Sequence, residues 1–574
     1  MAMRYMALAC DYDGTIAHDG QVSQSTIESL ERLAASGRSL ILVTGRQLSE
    51  LLQIFPRIGI FRRVVAENGA VLYRPSTQEV KLLAPPPDPI LLEALSRKSV
   101  EPLYAGQCII DTRQPHENTV LECIKALGLE HQVIFNKGAV MVLPAGVNKA
   151  FGLRAALAEL QLSAHNVVGV GDAENDNAFL TMCQCAVAVA NALPMLLERS
   201  TFCTKSARGD GVSELIEEML QDDLSSREYL LADKNILIGH TDDQSEIKFA
   251  AYGRGVMIAG PSASGKSTTC LGIIERIEKA GYQYCLIDPE GDYGALENVV
   301  TEGSANNSPD VDNVIKTLKS QTSNVVVNLL GVPLADRPQY FSGLISRLQA
   351  LRTETGRPHW IIIDEAHHML NPEWEGVPHT MPVEMREFIM ITVHPETVSQ
   401  VARDKVDTVI AVGEDPRGTL TNFEASAGQD FDGIENKMQE GKVMVWSRAL
   451  SPRVHFVTPL PGSTERRRHV KKYAEGDVKE GCFYFRGPDK KLNIKAQNLS
   501  IFSQIAAGVD DDTWLYHLQN GEYTVWFKTI IKDQELSTIA ERLQSQNSVS
   551  AEVSRSEILQ AIERLYTAPA TKPA

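Results

Sequence analysis

Residues 9–20 read ACDYDGTIAHDG, an apolar run that ends in Asp11 and Asp13, with Gly14 and Thr15 behind them. Carboxylates at i and i+2 share one face of a strand and repel each other. The pair makes sense if a cation and a phosphate come between them. A bound Mg2+ takes carboxylate oxygens as ligands and offsets the repulsion. One aspartate is then free to attack phosphorus while the other handles the proton of the leaving group.

That chemistry calls for a donor to the phosphoryl oxygens, a lysine to hold charge and more acid for the metal. Each occurs beside an expected strand end. Val43-Thr44-Gly45-Arg46 closes the run SLILVT, Lys149 stands in PAGVNKAFGL just ahead of a helix, and Gly171-Asp172-Ala173-Glu174-Asn175-Asp176 closes NVVGV. Ligands of an open parallel sheet collect at its strand ends, so these stretches can converge.

The chain around them has 574 residues, too many for one core, and about three domains are expected. Its apolar content of 43% and charged content of 22% are ordinary for globular proteins. The apolar runs, such as Val325–Leu330 and Trp360–Ile363, are strand-length and fall short of the ~20 residues of a membrane helix. The N-terminal patch reads as a first strand, not a signal peptide. Nine scattered cysteines without CxxC read as buried free thiols of a reducing, cytoplasmic compartment. A net charge of −17 disfavours non-specific nucleic-acid binding by the whole chain. No membrane partner is expected.

Residues 1–205 alternate β-branched runs (39–44, 64–72, 166–171) with amphipathic stretches such as 25–35, the grammar of a mainly parallel α/β sheet. The break APPPDP at 84–89 opens an inserted segment, about 84–145, that contains CIID and AVMVL. Residues 206–232 are polar and read as a linker or connecting helix. The βαβ pattern returns over 233–462, with strands expected at 255–259, 284–287, 325–329, 360–363 and 408–412. Residues 463–574 begin with the basic run Arg466–Lys472, read as a solvated hinge, and continue as a small, mainly helical module. There Trp514, Leu515 and Leu518 fit one helical face, and Trp526, Ile530 and Ile531 another.

DYDGT, VTGR, Lys149 and GDAEND, in that order, resemble the four motifs of the haloacid dehalogenase (HAD) superfamily. AENGA at 66–70 is similar to its Cof/sucrose-phosphatase-like branch, which carries an inserted cap. The resemblance implies a Rossmann-like parallel sheet with a small α/β cap, and a Mg2+-dependent phosphatase. Asp11 would form an aspartyl-phosphate, and Asp13 would act as general acid and then base. Thr44 and Lys149 would hold the phosphoryl group, with Gly14, Thr15, Gly45, Arg46 and Asn175 around phosphate or substrate. Asp11, Asp13 (through its main-chain carbonyl), Asp172 and Asp176 would surround the metal. The substrate class implied is a small phosphorylated metabolite, sugar- or glycolate-like.

A second phosphate-binding pattern, GPSASGKST at 260–268, follows the apolar run GVMIA and opens a helix. Its backbone N–H groups can cradle phosphates, Lys266 can reach the β- and γ-phosphates, and Ser267 can ligate Mg2+. Gly260, Ser262, Ser264, Gly265, Lys266, Ser267 and Thr268 are the candidate ATP contacts. HWIIIDEAHHML at 359–370 supplies Asp364 for Mg2+ and Glu365 to activate water, which favours an ATPase over a kinase.

With YCLIDPEGDY (284–293) and GKVMVW (441–446), this region resembles the HerA/FtsK-type P-loop ATPases of RecA-like ASCE fold. FIMITVHPETV puts His394 where that family has a polar sensor, commonly Gln; an ordinary strand-end histidine is the other reading. The family forms homo-oligomeric rings, often hexamers, with an arginine from a neighbour, for which Arg403, Arg417, Arg448 and Arg453 are candidates. The expected whole is a phosphatase fused to an ATPase that regulates or assembles it. The alternatives are a nucleic-acid translocase that processes ends and a bifunctional kinase–phosphatase.

Overall fold

The computed structural model describes residues 3–136, 138–262, 264–294, 296, 298–370, 386–424, 441–448, 454–462, 481–531, 533–546 and 549–567. The chain divides into two compact units, Met1–Lys266 with Arg276–Pro459, and Ser267–Glu275 with Leu460–Ala574.

In the first unit, Ala7–Cys10 and Ser39–Val43 are buried along their whole length. Continuous apolar runs of this kind mark parallel strands covered on both faces. They sit at the middle of an eight-stranded sheet. Its order is Phe202–Cys203, Cys185–Ala188, Val167–Gly171, Ala7–Cys10, Ser39–Val43, Arg63–Ala66, Val71–Arg74 and Glu79–Leu82. The first six strands are parallel, Val71–Arg74 turns back antiparallel to them, and Glu79–Leu82 pairs antiparallel with it in turn. Leu8, Leu40, Leu42 and Val168 enter one core beneath it, and Ala9, Ile41 and Val43 enter the other.

The inserted segment is an α/β cap. The helices Pro89–Arg97 and Glu117–Leu127 lie with an antiparallel sheet ordered His131–Asn136, Ala139–Pro144, Ile110–Arg113, Tyr104–Ala105. Leu91, Leu95, Val120, Ile124, Ile110 and Val142 make its own small core. The segment 206–232, expected to link or connect, instead contributes to the first core. Its helix Arg208–Asp222 buries Val212, Leu215, Ile216 and Met219 beside Leu30 and Leu33. Their i, i+3, i+4, i+7 spacing forms the apolar stripe of a packed helix.

Additional α/β structure follows in the same unit. Its eleven-stranded sheet runs Glu246–Phe249, Ile236–His240, Val454–Pro459, Val443–Ser447, Val406–Ala411, Gly255–Ala259, Phe388–Thr392, Trp360–Ile363, Tyr284–Asp288, Asn324–Asn328, Val299–Glu302. From Val406–Ala411 onward all neighbours are parallel.

In the second unit a hairpin, Phe483–Phe485 with Ile494–Ala496, joins helices that bury Trp514, Leu518, Trp526 and Ile531, with Leu515 and Ile530 partly covered. Trp514 donates its indole N–H to Ser554 Oγ at 3.0 Å. Arg453 and the run Arg466–Lys472 lie outside the described residues. No helix among the described residues is long and apolar enough to cross a membrane. All nine cysteines are free thiols, and Cys203 is the exposed one.

Candidate active site

The carboxyl ends of three adjacent parallel strands, Ala7–Cys10, Ser39–Val43 and Val167–Gly171, bring the expected residues together. Asp11, Asp172 and Asp176 are all buried, and one oxygen of each lies within 4.8 Å of the others. Lys149 stands among them, itself buried. Its Nζ lies 2.5 Å from Asp11 Oδ1 and also bonds Asp176 Oδ1. Burial pushes the Asp11 carboxyl up, the nearby Asp176 adds to this, and Lys149 opposes both. Burial works against the Lys149 ammonium, but Asp11 and Asp176 outweigh it and keep the amine protonated.

Each group is held by backbone geometry. Asn148 caps the Lys149–Leu160 helix by accepting from Phe151 N at 2.9 Å, which fixes where Lys149 starts. Asp176 Oδ2 accepts from the amides of Asp172 and Ala173, both at 2.9 Å, and so folds GDAEND back on itself. Thr15 Oγ1 donates to Asp172 Oδ1 at 3.2 Å. Thr44 accepts from Arg46 N through its side chain and from Asn68 N through its carbonyl. Gly45 lies under the cap residue Met141, and Asn175 Nδ2 donates to Asn68 Oδ1 at 3.2 Å.

Asp13 sits apart from the cluster. Its two oxygens take Arg46 Nε and Nη2 at 2.6 and 2.7 Å, and Arg46 also pairs with Glu50. Its neighbour Gly14 accepts from Asn191 Nδ2 at 2.9 Å through its carbonyl. Arg46 is thus committed to carboxylates of the chain itself.

A cleft of about 610 Å³ opens above Asp11 and Asp13. The core contributes Gly45, Arg46, Gln47 and Glu50, and the cap Tyr104, Asp111, Arg113 and Met141. Asp111 and Arg113, at i and i+2 on one strand, share the face turned to the core. Asp111 accepts from Gln47 Nε2 at 3.0 Å, and burial raises its carboxyl to about 6. Among the described residues Arg113 forms no ion pair.

Glu67 was not singled out from the sequence. It is buried, and its carboxylate accepts from the cap amides of Gln107 and Cys108 at 2.9 and 2.8 Å. It lies within the AENGA stretch at 66–70, but its partners stand forty and more residues away, so the tie to the cap has no local sign.

The profile of the haloacid dehalogenase-like hydrolases matches residues 8–84 and 94–216. A phosphoglycolate phosphatase of Methanothermobacter thermautotrophicus is 32% identical over 225 residues, 37% of this chain and 98% of that protein. The chain belongs to the haloacid dehalogenase-like hydrolases. A second phosphoglycolate phosphatase, from Methanobrevibacter smithii, is 28% identical over 38% of this chain and all of its own length. The crystal structure of a haloacid dehalogenase-like hydrolase from Bacteroides thetaiotaomicron covers 38% of this chain and 99% of its own, at 19% identity and a TM-score of 0.34.

Beyond the part matched to the HAD-like hydrolases, the expected strand–loop–helix at 255–268 forms, with Gly255–Ala259 ahead of the loop and the helix Lys266–Lys279, which includes Ser267 and Thr268, after it. Gly265 has φ +96°, and a Cβ on Gly260 would stand 2.0 Å from Val412 O, so both places suit glycine. Of the loop's serines, Ser262 is exposed and Ser264 half-buried. Lys266 Nζ donates to Pro261 O at 2.8 Å. Asp364 follows the strand Trp360–Ile363; burial, then Glu365, pushes its carboxyl up to about 8.

Glu365 takes a left-handed backbone, φ 42° and ψ 51°, and its Oε2 lies 3.3 Å from His367 Nδ1. His394 stands two residues past the strand end at Thr392 and faces outward, with Nδ1 3.2 Å from Glu396. The buried polar group at that strand end is Thr392, whose Oγ1 lies 3.2 Å from His367 Nδ1. Of the arginines considered, Arg403 donates to Phe423 O at 3.1 Å, Arg448 lies over the Trp446 ring, and Arg417 is half-buried on the helix Pro416–Glu424.

Proposed function

We propose that the HAD-like region hydrolyses a small phosphomonoester through an aspartyl-phosphate on Asp11. The observation that carries this reading is the buried cluster of Asp11, Asp172, Asp176 and Lys149 at the strand ends, under an open cleft. Three carboxylates against one ammonium leave net negative charge, and an all-oxygen donor set of this kind fits Mg2+. Asp11, Asp172, Asp176 and the main-chain carbonyl of Asp13 would hold it. When bound, Mg2+ neutralises charge on the transferring phosphoryl group.

An Asp11 oxygen attacks phosphorus, the bond from phosphorus to the ester oxygen breaks, and Asp13 gives the leaving alcohol its proton. Asp13 then takes a proton from water, whose oxygen attacks the aspartyl-phosphate, releasing inorganic phosphate and restoring Asp11. Lys149, Thr44 and nearby amides hold the phosphoryl oxygens where charge develops. Arg46 fixes the Asp13 carboxylate for both proton transfers.

Arg113 supports a substrate with a second anionic group. It is the arginine of the cleft without an ion-pair partner among the described residues, and it comes from the cap. The names of the two relatives point the same way, to phosphoglycolate. The test is phosphate release, with Mg2+, from 2-phosphoglycolate, sugar phosphates and p-nitrophenyl phosphate. Wild type turns over at least one ester and Asp11→Asn none. Arg113→Ala raises KM for phosphoglycolate about tenfold or more, as loss of a charge-assisted contact should, and spares p-nitrophenyl phosphate. Equal losses on both esters would sink the carboxylate reading alone.

We further propose that Gly260, Gly265 and Lys266, with Asp364 and Glu365, bind and hydrolyse ATP. The support is the strand order, in which Phe388–Thr392 separates the loop strand from the Asp364 strand, so that Lys266, Thr392 and Glu365 gather at neighbouring strand ends. Glu365→Gln should stop ADP formation while a fluorescent ATP analogue still binds. ADP formation at the wild-type rate would refute this assignment.

A further inference from the structure

The helix Lys149–Leu160 begins at the phosphatase cluster and ends against the second sheet region of the same unit. At that end Leu157 O already accepts from the Leu162 amide at 3.0 Å, which turns the chain out of the helix at Gln161. Two side chains from far along the chain add further donors to this turn. Gln321 Nε2 donates to Leu157 O and Leu162 O, both at 2.9 Å, and Arg357 Nη2 donates to Gln161 O at 2.9 Å.

Arg357 is fully buried. Its other bonds are all to neutral oxygens, Gln283 Oε1 at 3.1 Å, Leu318 O at 3.3 Å, Ser320 O at 3.1 Å and Lys319 O at 3.2 Å. Burial without a carboxylate lowers its pKa to about 10. Both terminal nitrogens of this costly buried guanidinium are thus held by fixed oxygens. Gly356, just before it, leaves no room beside Asn166: a Cβ there would lie 2.5 Å from the Asn166 side chain. Three residues past Arg357 begins the strand Trp360–Ile363, which runs straight to Asp364 and Glu365. The strand that carries one candidate site and the helix that carries the catalytic lysine of the other therefore meet end to end.

We infer that Arg357 and Gln321 are positioning residues for the phosphatase: by gripping the C-terminal end of the Lys149 helix they set how far Lys149 reaches between Asp11 and Asp176. The inference rests on the phosphatase reading above. It makes the second sheet region a working part of the first site.

The test uses the full chain with p-nitrophenyl phosphate and Mg2+, comparing Gln321→Ala, Arg357→Gln and Arg357→Lys with wild type. Thermal melting and circular dichroism identify variants that fold. Gln321→Ala should lower kcat about three- to tenfold with KM within about twofold, the pattern of a lost transition-state contact rather than lost binding. Arg357→Gln should lower kcat further, and Arg357→Lys should recover part of it. If Arg357→Gln does not fold, Gln321→Ala alone decides. A folded Gln321→Ala with wild-type kcat would overturn the inference, as would a loss confined to KM. Failure of wild type to hydrolyse any ester would overturn the phosphatase reading and this inference with it.

Discussion

Gly69 lies against the carbonyl of Asn148 so closely that a Cβ added to it would stand 1.9 Å from that oxygen. The contact joins the AENGA turn to the residue that caps the Lys149 helix. Gly69 also has φ +107°, a conformation other residues adopt only with strain. Gly69→Ala should therefore push Lys149 out of place and strain the turn. A fall in stability of about 1–3 kcal/mol is expected, with a larger relative loss in kcat than in 1/KM. Urea denaturation and steady-state kinetics on the same preparation check both.

Mg2+ should stabilise the fold as well as support turnover. A cation that binds the native cluster and not the unfolded chain adds about 2.7 kcal/mol at a hundred times its Kd. Melting temperature should rise with Mg2+ in wild type and fall on chelation. Asp172→Asn should flatten that dependence. A wild-type melting temperature indifferent to Mg2+ and to chelator would count against the metal site.

Glu67 ties core to cap with two hydrogen bonds from cap amides to a buried carboxylate. Bonds to a charged acceptor are worth about 1.5–3 kcal/mol, so Glu67→Gln, which can keep one of them, should loosen the cap. KM should rise several-fold on every ester alike, whereas loss of Arg113 acts only on those with a second anionic group. Kinetics on phosphoglycolate beside p-nitrophenyl phosphate separate the two.

Acid should weaken the junction where His165, Tyr282 and His359 meet. His165 stacks on Tyr282 with centroids 3.9 Å apart, and His359 stands edge-on to His165 at 5.4 Å. Arg4, Arg352 and Glu387 line the small cavity beside them, Gln184 Oε1 accepts from His165 Nδ1 at 2.8 Å, and Arg357 is close by in sequence. Burial lowers the pKa of both histidines below the ordinary 6.5. The unfolded chain then takes up protons near pH 6.5 that the folded chain refuses, so stability is full above that pH and declines below it. Melting temperature should drop between pH 7 and pH 5, and His165→Phe, which keeps the stack, should reduce the slope. An unchanged slope would show that acid acts elsewhere.

The four phosphatase motifs were legible because the chemistry demands particular residue types at particular strand ends. Asp11, Thr44, Lys149 and Asp172 each follow or precede a strongly patterned apolar run, and the sheet brings those ends together. CIID and AVMVL carry strand patterning of their own, and the strands Ile110–Arg113 and Ala139–Pro144 form there. Arg113, Gln321 and Arg357 left no such trace. Arg357 meets Gln161 across 196 residues of sequence, and nothing local to either marks the pairing. In the segment 206–232 the apolar stripe Val212, Leu215, Ile216, Met219 is diluted by the polar run DDLSSRE at 222–228 that follows it. The grip of Arg46 on Asp13 depends on the turn after Thr44, which composition does not disclose.

The cap's attachment leaves a chemical handle. Cys108, whose amide is one of the two that Glu67 holds, is buried and donates its Sγ–H to Ala84 O at 3.1 Å, at the point where the chain leaves the core for the cap. Its thiol is kept protonated, pushed up to about 11 mainly by burial. With the cap seated it should be unreactive to alkylating reagents, because the thiolate is the reacting species. Each excursion of the cap that breaks the bond to Ala84 would expose the sulfur to solvent. The rate at which Cys108 is alkylated, slowed by a phosphate analogue bound beneath the cap, would then count the openings of the site directly, one thiol serving as a clock for the passage of substrate.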